Sequence, residues 1–407
     1  MSAGTPVLAD RFGHPVRGEA ASVEAWDAAW SQFLHFTGDP IVTLAPHIEA
    51  DDTFVMGSVF VAAYLVLGGT RFDDPALLTS IDVVRTRAET ADERAHLGAL
   101  EQLVAGEFTA AAATWDDIAR SARDFAAVRV AHDIYLHVGD ADRRLASSSR
   151  ATAEWGAGEP GSMFVAGQYA FALEESGRYS DAERVGRHSL DADPDDLWAR
   201  HALAHVYESL DDQRAALDLL EGSFDRWSRQ DSLAVHIWWH LGLRRLSVGD
   251  VGATLDIVDR TIPDATTGFR LCDITSLLWR IELAGASVGD RWDIVADRWS
   301  DIAQRHACAF LDTHAVLAFA RRPDHPGAAV WRDGLEHAFE LDRSENATTF
   351  ADVVRPLATA ITMFADGDVR DASAALAELD TDLHRIGGSV AQRDVISLTR
   401  LATGSAR

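Results

Sequence analysis

The sequence predicts an all-α protein in which antiparallel helix pairs stack into a solenoid. Apolar residues recur at the three- and four-residue spacing of amphipathic helices, whereas the two-residue alternation typical of half-buried strands is missing. A glycine-centred turn also returns at intervals along the chain. Repetition of this kind is the sequence signature of a repeat architecture. We therefore predict one continuous array over residues 1–407.

The segment from Met163 to Asp196 shows the repeat most clearly. Its 34 residues have the length of a tetratricopeptide repeat, with two helices joined by a Gly-Arg-Tyr turn. Gly177 predicts a left-handed cap that ends the first helix, and Pro194 predicts the end of the second. These features favour a tetratricopeptide-like fold, a right-handed superhelix of helix pairs. The same turn recurs elsewhere, once with Asp in place of Gly, at Gly106, Gly139, Asp211, Gly249 and Gly367.

The repeat pattern is clear in the middle of the chain and weaker towards both ends, which predicts that the ends form caps. Residues 91–260 carry the clearest copies, and residues 1–90 are expected to form an N-terminal helical cap. Residues 261–407 are expected to hold divergent repeats and a C-terminal cap. Terminal repeats of solenoids are atypical because one of their faces meets solvent.

The composition is that of a folded and strongly acidic protein. Apolar residues make up 47% of the chain, charged residues 25%, and the formal net charge is -27. Such a surface disfavours nucleic acid and anionic membranes, because binding to either depends on Lys and Arg. The longest uncharged run, residues 54–70, is shorter than the ~20 residues of a membrane span. With no apolar secretory signal, and with Cys272 and Cys308 giving no disulfide framework or thiolate cluster, we expect a cytoplasmic protein.

Seven short motifs, spread over essentially the whole chain, resemble those of the tetratricopeptide repeat protein 38 family. They are ADDTFVMG (Ala50–Gly57), AHDIYLHVG (Ala131–Gly139), AHVYE (Ala204–Glu208), HIWWH (His236–His240), SVGDRW (Ser287–Trp292), DTHA (Asp312–Ala315) and IGGSVAQRDV (Ile386–Val395). The resemblance implies a tetratricopeptide-like superhelix. It implies no particular activity, so function is inferred from the residues themselves.

Two pairs of histidines stand out as candidate functional residues. His201 and His205 are four residues apart, as are His236 and His240, so each pair lies on one face of a helix. Glu208 continues the face of the first pair. In the repeat family these template positions line the concave groove, and neighbouring repeats are expected to bring the two pairs together there. Groove positions are also expected to be solvated in the ligand-free protein.

Three interpretations of the pairs remain open. They are packing or groove histidines bonded to carbonyl groups or water, or they bind a divalent metal such as Zn, Fe or Mn. In the metal interpretation His201, His205, His236 and His240 are the ligands, with a carboxylate such as Glu208 or Asp312 completing the set. In the third interpretation His205 or His240 is an acid–base catalyst, oriented by a carboxylate such as Asp133 or Asp273. Neither pair encloses the Glu of the zinc-protease HExxH motif.

The remaining candidates are assigned to ligand binding. Asp312 and His314 are two residues apart, about 200° around a helix, so only one can face the groove, and we assign His314. Ser389 is expected to cap the last helix, with Arg393 reaching into the groove as a carboxylate clamp. The full ligand-binding set is His132, Trp198, His201, Glu208, His236, Trp239, His314 and Arg393.

The groove so defined is rich in His, Asp and Trp. It predicts a protein that binds a small polar ligand or a peptide segment, with no nucleic-acid or membrane partner. The alternative is a hydrolase-like enzyme, either metal-dependent or using His205, His240 and Asp133 for acid–base chemistry.

Overall fold

The computed structural model describes residues 6–405 except 157, 229–232, 303–305, 338, 340–341 and 343. The described residues are helical almost throughout, which confirms the all-α, helical-repeat class. None of the described helices combines the length and apolarity that a membrane crossing requires.

The helices follow one another along the chain with short connections. They are α1 (Ala20–His35), α2 (Pro40–Ala50), α3 (Val55–Leu67), α4 (Pro75–Arg87), α5 (Ala91–Val104), α6 (Phe108–Ala122), α7 (Phe125–His137), α8 (Ala141–Glu154), α9 (Ser162–Glu175), α10 (Tyr179–Ala192), α11 (Leu197–Ser209), α12 (Gln213–Glu221), α13 (Phe224–Trp227), α14 (Ala234–Ser247), α15 (Val251–Thr261), α16 (Gly268–Leu283), α17 (Arg291–Ile302), α18 (Ala309–Arg321), α19 (Pro326–His337), α20 (Glu345–Thr349), α21 (Arg355–Asp366), α22 (Val369–Glu378) and α23 (Val390–Ser405). A π-helical turn, Phe350–Val354, joins α20 to α21, and two 3₁₀ turns are Ile262–Asp264 and Leu383–Ile386.

The chain divides into two compact units. Unit 1 comprises Met1–Tyr135, Ala141–Leu210 and Ser223–Leu233, and unit 2 comprises Leu136–Asp140, Asp211–Gly222 and Ala234–Arg407. The continuity of one array from residue 1 to residue 407 stays a prediction, as do the boundaries of its caps.

The turns between paired helices follow the sequence prediction. Gly177 ends α9 with a left-handed backbone conformation (φ 73°), and α10 ends two residues before Pro194. Asp211, which replaces the glycine of the template, takes the same left-handed conformation (φ 52°). Asp is among the few residues besides Gly that adopt this conformation readily. The backbone therefore keeps the left-handed turn in this repeat, although Asp211 replaces the glycine.

In unit 1, neighbouring helices pack together along much of the chain, and α9 also packs against the next but one. Helix α9 contacts α8, α10 and α11, which is the neighbour pattern of a helical repeat. Helix α1 also contacts α11, and Phe36 at the end of α1 stacks on Trp198 with a ring separation of 6.0 Å. The N-terminal helix thus covers part of the helix that carries His201 and His205.

Unit 2 is organised around α16. This helix contacts α14, α17 and α18, and also the last helix, α23. The indole of Trp279 donates to Thr399 at 2.9 Å, and Arg280 donates to the carbonyl oxygen of Ala391 at 2.8 Å. Both bonds tie the end of the chain to the middle of unit 2.

A short hairpin at the N-terminal end was not predicted from the sequence. Val7–Ala9 pairs with Pro15–Arg17 in a short antiparallel hairpin. Arg17 anchors the hairpin to α5 through Glu93, with its Nε atom 2.9 Å from the carboxylate. Strands of three residues are too short to show the alternation that identifies a strand in a sequence.

Candidate functional site

Helix α11 builds the first histidine pair, which we call the α11 pair (His201 and His205). The two Nε2 atoms lie 2.9 Å apart, and the ring planes are nearly perpendicular, at 85°. Only 3% of His201 and 1% of His205 is exposed. Residues four apart on a helix stand one above the other, so the sequence spacing alone brings the two rings together.

A carboxylate from α9 lies on the other side of His205. Oε2 of Glu174 is 3.7 Å from Nδ1 of His205, and the hydroxyl of Ser209 donates to Oε1 of Glu174 at 2.9 Å. Burial, together with the neighbouring Glu175 carboxylate, raises the pKa of Glu174 to about 8. Ligand atoms of Glu174, Glu175 and His205 all lie within 4.8 Å of one another. The pair is therefore flanked by acidic groups that sequence analysis did not assign to it.

Phe171 of α9 forms an aromatic wall beside the α11 pair. Its ring lies 5.0 Å from that of His201, 5.2 Å from that of His205 and 5.3 Å from that of Trp198. The ring of His132 lies 6.0 Å from that of Trp198. Three of the ligand-binding candidates thus gather around one phenyl ring within unit 1.

Several polar atoms in this cluster have no hydrogen-bond partner among the described residues. They are Nε2 of His132, both amide atoms of Gln168, Oε2 of Glu174 and Nε1 of Trp198. The other ring nitrogen of His132 lies 3.1 Å from the hydroxyl of Ser148. Most buried polar groups in folded proteins are hydrogen-bonded, so several unbonded atoms in one cluster make it a candidate ligand site.

Asp133 is paired with Arg129, and its predicted catalytic role stays a prediction. Its Oδ2 atom accepts a hydrogen bond from Nε of Arg129 at 2.9 Å, and burial raises its pKa although Arg129 opposes the shift. The guanidinium of Arg129 also lies 4.8 Å from the ring centre of Trp198. The carboxylate that lies beside His205 is that of Glu174, on a helix that the prediction did not consider.

Unit 2 contains the second pair, which we call the α14 pair (His236 and His240). Nδ1 of His236 donates to Oδ1 of Asp273 at 2.9 Å, and the ring of His236 stacks on Trp239. Burial lowers the pKa of His240 well below its usual value, so this ring is neutral near pH 7. Asp273 was predicted as a partner of either catalytic histidine, His205 or His240, but it binds the adjacent His236. That the α11 and α14 pairs meet at one site stays a prediction.

Towards the C-terminal end of the chain, His314 and Asp312 are hydrogen-bonded to neighbouring residues of unit 2. Nδ1 of His314 donates to the carbonyl oxygen of Phe310 at 2.8 Å, whereas Asp312 accepts from Trp331 and His306, both at 2.8 Å. The two side chains point apart, as their spacing predicts. Burial lowers the pKa of His314 to about 4. Both have the hydrogen bonds expected of packing residues, and a ligand-binding role for His314 stays a prediction.

The Gly-Gly segment before the last helix acts as a cap. The hydroxyl of Ser389 accepts from the backbone N–H of Gln392 at 3.1 Å, which confirms the predicted cap. The guanidinium of Arg393 donates to the carbonyl oxygens of Gly387 and Gly388, where a carboxylate clamp was expected. In this conformation Arg393 stabilises the turn.

The expectation that these positions are solvated is wrong. His201, His205 and His240 are at most 3% exposed, and His236 is 9% exposed. Trp198 and Trp239 are buried as well, and only Glu208 is half-buried. In unit 1, Phe171 of α9 lies against the rings of His201 and His205, and Trp198 lies against that of His201, so apolar rings cover part of the face that was expected to meet solvent.

Sequence reasoning missed Gln168 and Glu174, although a signal for them exists. Counted from Gly177, they occupy positions 6 and 12 of their repeat, both on the groove face. Applying the template to the repeat before the α11 pair would have placed them at this site. Cys272 and Cys308 are buried and free, which confirms the absence of a disulfide between them.

Comparison with known proteins bears on the fold alone. No protein-family model matches the chain. The chain is similar to a solved structure described as the crystal structure of the APC/C hetero-tetramer Cut9-Hcn1. The identity is 12%, the alignment covers 93% of this chain and 67% of that one, and the TM-score is 0.41. A likeness at this level says nothing about activity, and membership of the tetratricopeptide repeat protein 38 family stays a prediction.

Proposed function

We propose that this protein is a helical-repeat binding protein that holds a divalent transition-metal ion on the α11 pair. The observation that carries the proposal is the 2.9 Å separation of the two Nε2 atoms. Two nitrogen ligands, each about 2.05 Å from one metal ion, are about 2.9 Å apart when the angle between them is about 90°. The imidazoles have the separation of two adjacent ligands of one ion.

The surroundings of His205 support the same proposal. A histidine that binds metal through one ring nitrogen usually donates its other N–H to a carboxylate, which fixes the orientation of the ring. Glu174 lies on the Nδ1 side of His205, opposite the atom that faces His201. Imidazole ligands suit Zn, Fe and similar ions. Sequence analysis also predicts His236 and His240 as ligands of the metal ion, and the proposal keeps them as candidate ligands.

The unbonded polar atoms favour a small polar ligand next to the ion. A buried donor or acceptor without a partner costs about 1–3 kcal/mol, so a ligand that bonds to Gln168 and Trp198 would recover that free energy. Helical-repeat proteins commonly bind their partners on the face formed by the first helices of the repeats. Acid–base catalysis by His205 with Asp133 is not proposed, because Asp133 is bonded to Arg129.

Metal analysis of the purified chain tests the proposal. The untagged protein, prepared without chelators, should contain Zn or Fe or take up Co²⁺ with the visible absorption of a nitrogen-ligated ion. A double variant, His201→Gln and His205→Gln, should lose that signal. The matched control is His188→Ala, because His188 is exposed on α10 in the same unit.

The competing account is a direct N–H···N hydrogen bond between the two imidazoles. If the native chain contains no metal and takes up no Co²⁺ or Zn²⁺, this hydrogen bond explains the 2.9 Å distance and the proposal fails. If metal binding is the same in the native chain and the double variant, the ion lies elsewhere and the proposal fails as well.

A further inference from the structure

A second group of metal-ligating atoms lies in unit 1, apart from both histidine pairs. His14 comes from the turn between the two strands of the N-terminal hairpin. Asp92 lies in the first turn of α5, and Asp124 directly precedes α7. These three residues come from parts of the chain that are far apart in sequence, and the fold brings them together.

The distances within this group leave room for a metal ion. Nε2 of His14 is 3.6 Å from Oδ2 of Asp92 and 4.0 Å from Oδ2 of Asp124, and all three atoms lie within 4.8 Å of one another. A single point can therefore lie about 2.4 Å from all three atoms, a few tenths of an ångström beyond the 2.0–2.2 Å of Zn–N and Zn–O bonds, so a small movement of the side chains completes the site. One imidazole and two carboxylates form a ligand set that suits Mn, Fe and Zn.

His14 is buried, with its imidazole facing the two carboxylates. Only 4% of the residue is exposed, and its ring has no hydrogen bond to any residue in the described part of the chain. The two carboxylate oxygens beside its Nε2 atom lie 3.6 and 4.0 Å away, beyond hydrogen-bond distance, so the imidazole and the carboxylates have room for an ion between them. This second observation points to a ligand between His14 and the carboxylates.

Asp124 is held in place by a chain of hydrogen bonds. The indole of Trp115 donates to Nδ1 of His96 at 3.0 Å, so His96 carries its proton on Nε2 and donates to Oδ2 of Asp124 at 2.8 Å. The other oxygen of Asp124 accepts from the backbone N–H of Ala126 at 2.7 Å. Ligating carboxylates are typically oriented by such outer contacts. His96, which the repeat template places in the groove, thus serves to position Asp124.

Asp92 and Asp124 lie close together beside His14, and a divalent cation between them would remove the repulsion between two ionised carboxylates. A direct hydrogen bond from the imidazole of His14 to either carboxylate would measure about 2.7–3.2 Å. The observed distances of 3.6 and 4.0 Å are too long for that bond and fit an ion placed between the groups.

We infer that His14, Asp92 and Asp124 form a binding site for a divalent cation of the Mn²⁺, Fe²⁺ or Zn²⁺ class. The ion clamps the N-terminal hairpin onto the starts of α5 and α7. It joins chain segments that the unfolded protein does not hold together, so binding stabilises the folded state. The site does not depend on the α11 pair.

The experiment uses Mn²⁺ and full-length protein that carries His201→Gln and His205→Gln, so that the α11 pair cannot contribute. Titration followed by the electron paramagnetic resonance signal of free Mn²⁺ gives the affinity. Adding Asp92→Asn should weaken binding at least tenfold, the lower range for losing a metal-site contact. Asp92 is half-buried, so this variant keeps the fold, and an unchanged near-ultraviolet circular dichroism spectrum verifies that. The control is Asp82→Asn, an exposed carboxylate on α4.

A second measurement excludes adventitious binding. Mn²⁺ should raise the melting temperature of the protein with Asp92 and Asp124 intact, and should leave that of the Asp92→Asn variant unchanged. Mn²⁺ and Zn²⁺ that fail to bind, or that bind equally with and without Asp92, would overturn the inference. Neither result affects metal binding by the α11 pair, which is measured with the native His14.

Discussion

Nδ1 of His236 donates its hydrogen to the carboxylate of Asp273, 2.9 Å away, in the middle of unit 2. This bond places the proton of the imidazole on Nδ1 and leaves Nε2 as the atom with a lone pair. A carboxylate behind a histidine is the arrangement that prepares an imidazole to bind metal. The α11 pair has the same feature, with Glu174 beside His205.

The first prediction concerns this tautomer. Asp273→Leu removes the acceptor while keeping a side chain of similar size, so the proton of His236 should no longer be held on Nδ1. ¹⁵N chemical shifts of the imidazole report the tautomer directly. Loss of a buried hydrogen bond should also lower the free energy of unfolding by about 1–3 kcal/mol. An unchanged tautomer would show that Asp273 does not set it.

The second prediction concerns His205. Sequence reasoning expects a solvated residue whose change to Ala costs less than ~1 kcal/mol. The side chain is 1% exposed, so His205→Ala should leave a cavity and cost about 2 kcal/mol or more. His205→Gln, which fills most of the volume, should cost less. Chemical denaturation of the two variants in the metal-free state measures the difference, and equal small losses would support the solvated interpretation.

The third prediction is a substitution, at Gln168, that should increase the stability of the protein. Gln168 is 1% exposed, and neither atom of its amide has a hydrogen-bond partner among the described residues. Gln168→Leu should therefore raise the stability of the ligand-free protein by about 1 kcal/mol, because an apolar group of similar size has no unmet hydrogen bonds.

The matched control for Gln168 is Gln213→Leu. The amide of Gln213 donates to the carbonyl oxygen of Arg244 at 2.7 Å, so its loss should destabilise the protein. The melting temperatures of Gln168→Leu and Gln213→Leu show whether the amide of Gln168 is bonded in the ligand-free protein. If both variants lose stability, Gln168 has a partner in solution that holds it as firmly as Arg244 holds Gln213, and the ligand site loses its main support.

The repeat template predicts turns better than it predicts contacts. It identified Gly177 and even Asp211, because a left-handed turn restricts the residue type at one position. It also placed His201 and His205 on one face, since that follows from helix geometry. It could not show that Asp133 bonds to Arg129, four residues earlier, because several carboxylates occupy groove positions and only the packing of helices selects among them.

Burial was the other quantity that the sequence could not supply. Polar residues on a helix face suggest solvent, yet in unit 1 the ring of Phe171, from the preceding repeat, packs on both histidines of the α11 pair. The hairpin around His14 escaped prediction for a different reason. Its strands are three residues long, and its partners, Asp92 and Asp124, are about 80 and 110 positions away, so no local pattern connects them.

The last prediction concerns the start of α11 and its dependence on pH. Asp196 is fully buried, accepts from the backbone N–H of Ala199 at 3.0 Å and from the hydroxyl of Ser189 at 2.9 Å. Burial raises its pKa to about 6, against 3.8 for an ordinary Asp. Between these two values the folded protein binds more protons than the unfolded chain. The contribution of Asp196 to stability therefore falls as pH rises from about 4 to about 6, and stays low above that.

Asp196→Asn removes this titration while keeping a side chain that can cap the helix. At pH 4 the native protein and the variant should have similar stability. By pH 7 the variant should be relatively more stable, by about 3 kcal/mol at most, since one pKa unit corresponds to about 1.4 kcal/mol. Melting temperatures recorded in parallel from pH 4 to pH 7 isolate the effect, because all other titrating groups are shared. A difference that is constant over this range would mean that folding leaves the pKa of Asp196 unchanged. A difference that increasingly favours the native Asp at high pH would mean that the folded protein stabilises the ionised carboxylate.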